Sequence, residues 1–381
     1  MRSFFQDFER SGYDGSIIRC KMHDIVHDFA QFLSKNECFN AKVDNEEPRL
    51  EYSSKVRHSM IQFKSSVSFP RAFGDKLRSL LIDIRPYNKI DGIHVSKLLD
   101  ELTCLRALDV SKFSLKGLPR GIEKLIHLRY LNLSRTNLKE LPEALCDLYN
   151  LQTLDLTSCE ELRILPQGIA KLLKLRHLIN NYTYLMHLPK ADVGKVYKAE
   201  LHNKKNLIGL NLVFYENHNE EALDSFQPPP NLEKFRIENY VGNLMPPNWI
   251  AMVSLTKLRE LRLNCWLNCK HLPPLGKLLF LETLIIESLR SVKIVSNEFL
   301  GIESEDATSS SSSSVVVFPK LQTLEFQFMD NWEEWSYSTP TRGEHIDIII
   351  MPCLRSLKIW FCRNLRILPS YIEACENVGD I

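Results

Sequence analysis

No apolar run in this 381-residue chain approaches the ~18 residues that a membrane-spanning helix requires. The opening MRSFFQDFERSGYDG lacks the apolar stretch of a secretory leader, which argues against export. Charge of one sign is also missing. Lys and Arg number 48 against 47 Asp and Glu, a net of +1, so the chain has no overall field for a polyanion, although a local patch stays open. Glycine is scarce, 14 residues, which disfavours an enzyme built on glycine-rich loops. No G-x-x-x-x-G-K-[ST], G-x-S-x-G or H-E-x-x-H pattern occurs, so phosphate-loop, esterase-elbow and zincin chemistry have no sequence support. The ten cysteines follow no regular spacing and read as reduced thiols of a cytoplasmic or nuclear protein. Apolar residues at 44% and charged residues at 25% exclude wholesale disorder.

What is present is leucine at a fixed period. Units beginning at Leu102, Leu125, Leu148 and Leu172 are spaced by 23, 23 and 24 residues. Each carries L-x-x-L-x-L-x-x-(N/C/T)-x-L or a near version, then Leu-Pro. In the third, Leu151, Leu154, Leu156, Cys159, Leu162, Leu165 and Pro166 all fall on the pattern. This is a leucine-rich repeat, of α/β class. The L-x-L dyad is a short strand whose leucines point inward while the residues between them point outward. The polar residue or Cys at the turn ties off backbone groups, and Leu-Pro starts an outer arc. One unit cannot bury its own leucine face. Stacked units can, and their strands form a parallel sheet on the concave side of a horseshoe-shaped solenoid.

Further strand cores are expected at Leu77–Ile82, Leu207–Leu212, Leu232–Ile237, Leu258–Leu263, Leu281–Ile286, Leu321–Phe326 and Leu354–Ile359. With the four regular units they make about 11 irregular repeats over residues 76–381. A Pro-rich insertion at Pro228–Pro230 and a Ser-rich one at 301–314 interrupt them, the latter expected to be a mobile loop. The inner face is the expected partner-binding surface. Its middle column is Asp109, Asn132, Asp155, Asn211, Arg236, Arg262, Glu325 and Lys358, with Tyr130, His177 and Trp360 among the flanking positions. Arg236 and Arg262 are expected to bring positive charge to the middle of this column. Reversing their charge should then weaken binding and leave the fold intact.

The first 75 residues read differently. Met22, Ile25, Val26, Phe29, Ala30 and Leu33 recur at helical spacing and mark an amphipathic helix. SIIRCK before it and KVRHSMIQF after it read as strands, so the segment is an incomplete winged-helix-like piece. Met22-His23-Asp24, in CKMHDIVHDFAQFL, resembles the MHD motif of plant NB-ARC leucine-rich-repeat disease-resistance proteins of the coiled-coil subclass. RSFFQDFE, LPPLGKLLFLETLIIESLRSVKIVSNEFLG and FPKLQTLEFQFMDNWEEW are similar to other stretches of that family.

The resemblance implies an intracellular immune receptor. Its repeats would recognise a pathogen effector or a modified host protein, and would hold the nucleotide-binding module of the parent receptor inactive. It also implies that His23 contacts the β-phosphate of ADP, with Asp24 as its structural partner. The rest of a nucleotide site is absent from this sequence, so the chain alone should need no cofactor, while ADP or ATP would belong to a full-length receptor. The chain is expected to be a piece of such a receptor, acting by binding and not as an enzyme. The alternatives are a nucleotide-dependent switch ATPase in the parent, or a leucine-rich scaffold outside immunity. Cys20, His23 and His27 match no paired zinc layout, and Trp332 and Trp335 are expected to pack beneath an irregular repeat.

Overall fold

A computed structural model describes residues 4–10, 17–43, 55–63, 76–84, 90–91, 95, 100–119, 121–180, 183, 204–213, 229–240, 255–302, 315–337, 348–369 and 372. Most of the 301–314 insertion, Pro228 and the end of the fourth regular unit lie outside them. No helix among the described residues is long and apolar enough to cross a membrane.

Thirteen strands form one parallel sheet and follow one another in chain order. They are β3 (Cys38–Val43), β4 (His58–Phe63), β5 (Ser79–Ile84), β6 (Ala107–Asp109), β7 (Tyr130–Asn132), β8 (Thr153–Asp155) and β9 (His177–Ile179). Then come β10 (Gly209–Val213), β11 (Lys234–Glu238), β12 (Glu260–Asn264), β13 (Thr283–Glu287), β14 (Thr323–Gln327) and β15 (Ser356–Trp360). Ahead of the sheet stand β1 (Phe5–Arg10) and β2 (Ile17–Met22), an antiparallel pair, and α1 (Asp24–Ser34). Every strand core expected from the leucine pattern is present. The sheet does not start at residue 76, however. β3 and β4 pair in parallel with each other and with β5, so the ladder runs on into the first 75 residues. In β4, Ser59, Ile61 and Phe63 face inward, which gives that strand the same inside–outside alternation without the leucine signature.

The leucines of each unit form the core. Leu105, Leu108, Leu128, Leu131, Leu151, Leu154, Leu175 and Leu178 are buried in register, each covered by the units before and after it. The Leu-Pro step works as expected. Pro142 and Pro166, with φ −68° and −62°, directly precede the 3-10 arcs Glu143–Asp147 and Gln167–Lys171. Proline suits that position because its missing N–H would have no partner there. The free N–H groups of the second arc are taken up by the unit before: the Glu143 carboxylate accepts from the N–H groups of Gln167 (2.6 Å) and Gly168 (2.9 Å). At the turn position, Cys159 Sγ (3.1 Å) and Thr136 Oγ1 (2.7 Å) both donate to the Leu133 carbonyl, and Thr183 Oγ1 donates to the Leu156 carbonyl (2.5 Å).

Towards the C-terminal end aromatics replace leucine. Trp332 and Trp335 are fully buried and pack with Phe326 and Phe299, the closest ring centroids being 4.7 Å apart, so the two tryptophans are core and no ligand platform.

Candidate functional site

Strand register decides which side chains share the inner face. Asp109, Asn132 and Asp155 are direct neighbours on β6, β7 and β8. Asn211, Arg236 and Arg262 align on β10, β11 and β12, and Glu325 and Lys358 on β14 and β15. Tyr130 and His177 share the flanking column, two strands apart with Thr153 of β8 between them. Trp360 flanks the other side, beside Gln327. The column also extends to Leu81, Met60 and Asn40 on β5, β4 and β3, which the leucine pattern did not reveal.

The early part of the column is acidic and partly committed to its own backbone. Asp109, Asn132 and Asp155 each accept, at 2.9 Å, the N–H of the residue two positions on. These side-chain turns steer the chain out of each strand into the left-handed residues Lys112, Arg135 and Ser158. Asn132 Nδ2 also donates to Asp109 Oδ2 at 2.9 Å. Tyr130 has its pKa pushed up to about 12, first by burial and then by the Asp109 and Asp155 carboxylates, so its hydroxyl remains a donor. Burial, then the Arg176 and Lys234 charges, lower the pKa of His177 and favour the neutral ring.

The middle of the face departs from the charge reading. Arg236 Nε lies 2.6 Å from Glu238, and Arg262 Nε lies 2.8 Å from Glu260, which also meets Lys234 at 3.3 Å. The two arginines are therefore matched by glutamates, and the expected positive centre is electrically balanced. Both guanidinium groups are largely buried, so reversing either charge would set like charges against each other and would disturb the fold as well as any binding. Asn211 Nδ2 adds a contact to Glu238 at 3.3 Å. At the last strand, Lys358 pairs with Glu325 at 3.7 Å and lies 5.7 Å from the Trp360 ring centroid. Trp360 is exposed, beside a stacked Phe328–Phe361 pair with centroids 4.9 Å apart.

His23 and Asp24 sit elsewhere, at the start of α1. His23 is its N-cap residue, donates its backbone N–H to the Phe4 carbonyl (3.1 Å), and has an exposed side chain. Asp24 occupies the first turn, where its charge suits the helix dipole. One imidazole and a helix N-terminus can meet a single phosphate, but a nucleotide also needs contacts to its other groups. At this end of α1 the exposed His23 ring and the helix N-terminus are the groups that could meet a phosphate. The apolar side of α1 forms as the helical spacing requires, yet nothing among the described residues covers it: Ile25 is 80% and Phe32 76% exposed. Phe4, Phe5 and Phe8, on or beside β1, are exposed too.

A second set of residues escaped the leucine reading although its signal was plain. An arginine follows the strand-leading apolar residue in VRHS, LRSL, LRAL, LRYL and LRHL. Backbone bonds stack this column: Arg78 N–H to the Arg57 carbonyl, Arg106 to Arg78, Arg129 to Arg106, then Gln152 and Arg176.

A family described as "Leucine-rich repeat region" matches residues 76–200, and one described as "R13L1/DRL21 LRRs" matches 184–289. A disease resistance protein of Arabidopsis thaliana is 29% identical over 432 residues, covering 96% of this chain and 29% of that protein. An RPP13-like disease resistance protein of the same plant is 28% identical over 198 residues, covering 48% of this chain and 18% of its own length. The chain thus spans under a third of the curated relatives it matches. Among solved structures, the Toll–Spatzle complex of Drosophila aligns with a TM-score of 0.54 at 15% identity, over 90% of this chain and 45% of that one, a likeness of fold alone. The chain folds as a leucine-rich-repeat solenoid, and its repeats are similar to those of plant disease-resistance proteins.

Proposed function

We propose that this chain is the recognition portion of a plant immune receptor, active in the cytoplasm or nucleus, and that it works by binding protein across the inner face of its sheet. The observation that carries the reading is the sheet itself. Among the described residues thirteen strands turn nearly all their leucines inward and leave one continuous, mainly polar face, from Asn40 to Lys358 and interrupted by Met60, Leu81, Ile179 and Ile285, open to a partner. The partner is an effector or a host protein that an effector has altered. At the other end, the uncovered side of α1 and the exposed β1 phenylalanines form a seat for the nucleotide-binding module of a longer receptor. His23 and Asp24 then stand at that junction and reach an ADP held chiefly by the module. Nothing in this reading gives the chain a reaction of its own.

The test uses a full-length receptor carrying these repeats, expressed in leaf tissue with its elicitor. Thr153→Arg and Lys358→Glu on the inner face should abolish the defence response at unchanged protein level. An equal loss from exposed substitutions on the outer arcs, such as Lys171→Glu, or no loss from the inner pair, would count against recognition through this face.

A further inference from the structure

The edge where the chain enters the strands has a chemistry distinct from the inner face. Three successive turns, each closed by a backbone bond from the fourth residue to the first, lie at 125–128, 148–151 and 172–175. Their tips carry Ile126, Tyr149 and Leu173, which are 41%, 52% and 63% exposed. An isolated exposed apolar residue would need no explanation. Here three occupy the same place in three adjacent repeats, which makes a stripe.

The stripe is held rigid by side chains that bridge the repeats. Asn150 Nδ2 donates to the Ile126 carbonyl (2.8 Å), Lys174 Nζ to Asn150 Oδ1 (2.7 Å), and Asn206 Nδ2 to the Leu173 carbonyl (2.9 Å). The tips therefore cannot fold down onto the core, and a partner meets a surface already organised. Three residues beyond Ile126 and Leu173 stand Arg129 and Arg176, and Arg106 lies one strand earlier. Among the described residues none of these three arginines has an ion-pair partner. Further along the same column Arg259 meets Glu282 at 2.7 Å. Arg57, at the start of the column, likewise meets Glu37 at 3.6 Å, so Arg106, Arg129 and Arg176 form a stretch between two matched ends that is left for a ligand.

We infer that this edge, Ile126, Tyr149 and Leu173 with Arg106, Arg129 and Arg176, is a docking rail for an amphipathic helix of a partner protein whose apolar stripe is flanked by carboxylates. Spacing selects a helix. Adjacent strands repeat every ~4.8 Å, close to the ~5–6 Å between residues i and i+4 on a helix face. Alternate residues of an extended strand lie ~6.7 Å apart and fall out of step. Guanidinium forks pair with carboxylates in two parallel bonds and orient such a helix. The rail borders the inner face, since Arg129 and Arg176 directly precede Tyr130 and His177, but it lies far along the array from Lys358 on the last strand.

The experiment is fluorescence anisotropy with the whole chain and a labelled 18-residue helical peptide carrying leucines at i, i+4, i+7 and i+11 flanked by glutamates. The comparisons are a scrambled peptide of the same composition, a lysine-for-glutamate peptide and a single-stranded oligonucleotide. The patterned acidic peptide should bind at least tenfold more tightly than each of these. Leu173→Glu and Arg129→Glu should each weaken it at least fivefold, while Lys358→Glu on the inner face leaves it unchanged and circular dichroism shows the variants folded. Equal binding of the scrambled peptide or the oligonucleotide, indifference to both edge variants, or a self-associated chain that Leu173→Glu makes monomeric would each overturn the assignment.

Discussion

Lys204 stands where Leu102, Leu125, Leu148 and Leu172 stand in the regular units, and it is buried. Its ammonium donates to the Ala170 carbonyl at 2.6 Å, and burial lowers its pKa to about 8. The folded state therefore holds this proton less tightly than the unfolded chain does. Stability should rise as pH climbs from about 8 towards 10.5, the window in which only the unfolded chain stays protonated. Thermal melts of the wild type and of Lys204→Met across this window test the point: the variant should lose this part of the slope. Asn180 is the companion case. It takes the place of inward Leu156, it is buried, and neither amide atom finds a partner among the described residues. Asn180→Leu should stabilise the chain by about 1–3 kcal/mol in urea unfolding, and a loss of stability would show that the amide is satisfied after all. Both residues were visible as breaks in the leucine pattern. Their burial was not, because a polar residue in a leucine column is equally compatible with a unit that has been pushed out of the core.

At the scale of elements, the arcs and strands were legible and their coverings were not. Leu-Pro located the arcs because proline's φ and missing N–H suit one position only. The 3.6 period located α1 and its apolar side, but a period says which face wants burial and nothing of what buries it. Phe29→Ser and Phe32→Ser, on that uncovered side, should leave the melting temperature within about 2 °C and raise solubility, since exposed apolar groups contribute little to the fold. A drop of several degrees would mean that α1 packs on the array. β3 and β4 were missed as ladder strands because Phe39, Ile61 and Phe63 stand in for leucine. One glycine matters here. A Cβ at Gly276 would lie 2.1 Å from the Leu300 carbonyl oxygen, where the arc at Leu275–Lys277 meets the helix Asn297–Leu300. Gly276→Ala should cost about 1–3 kcal/mol by overpacking, read from the shift of the denaturation midpoint.

For the whole molecule, the direction of each side chain in the sheet followed from the L-x-L alternation, and the columns from Asp109 to Lys358 lie in the register it implied. The charge balance of that face did not follow from reading one column. Arg236 with Glu238, and Arg262 with Glu260, are two residues apart on the same strand face, so the period of two already placed each pair together. The stacking itself predicts a graded cost. Leu154→Ala, in the middle of the regular units, should remove about 2–5 kcal/mol, because its site is covered by repeats on both sides.

Recognition of a protein partner across the inner curve of the array is open to direct measurement. Hydroxyl-radical footprinting of a full-length receptor carrying these repeats, with and without its elicitor, addresses it directly. Elicitor should protect Tyr130, His177 and Trp360 while labelling of the outer arcs stays constant. Protection confined to the outer arcs, with those three side chains labelled equally in both states, would contradict it.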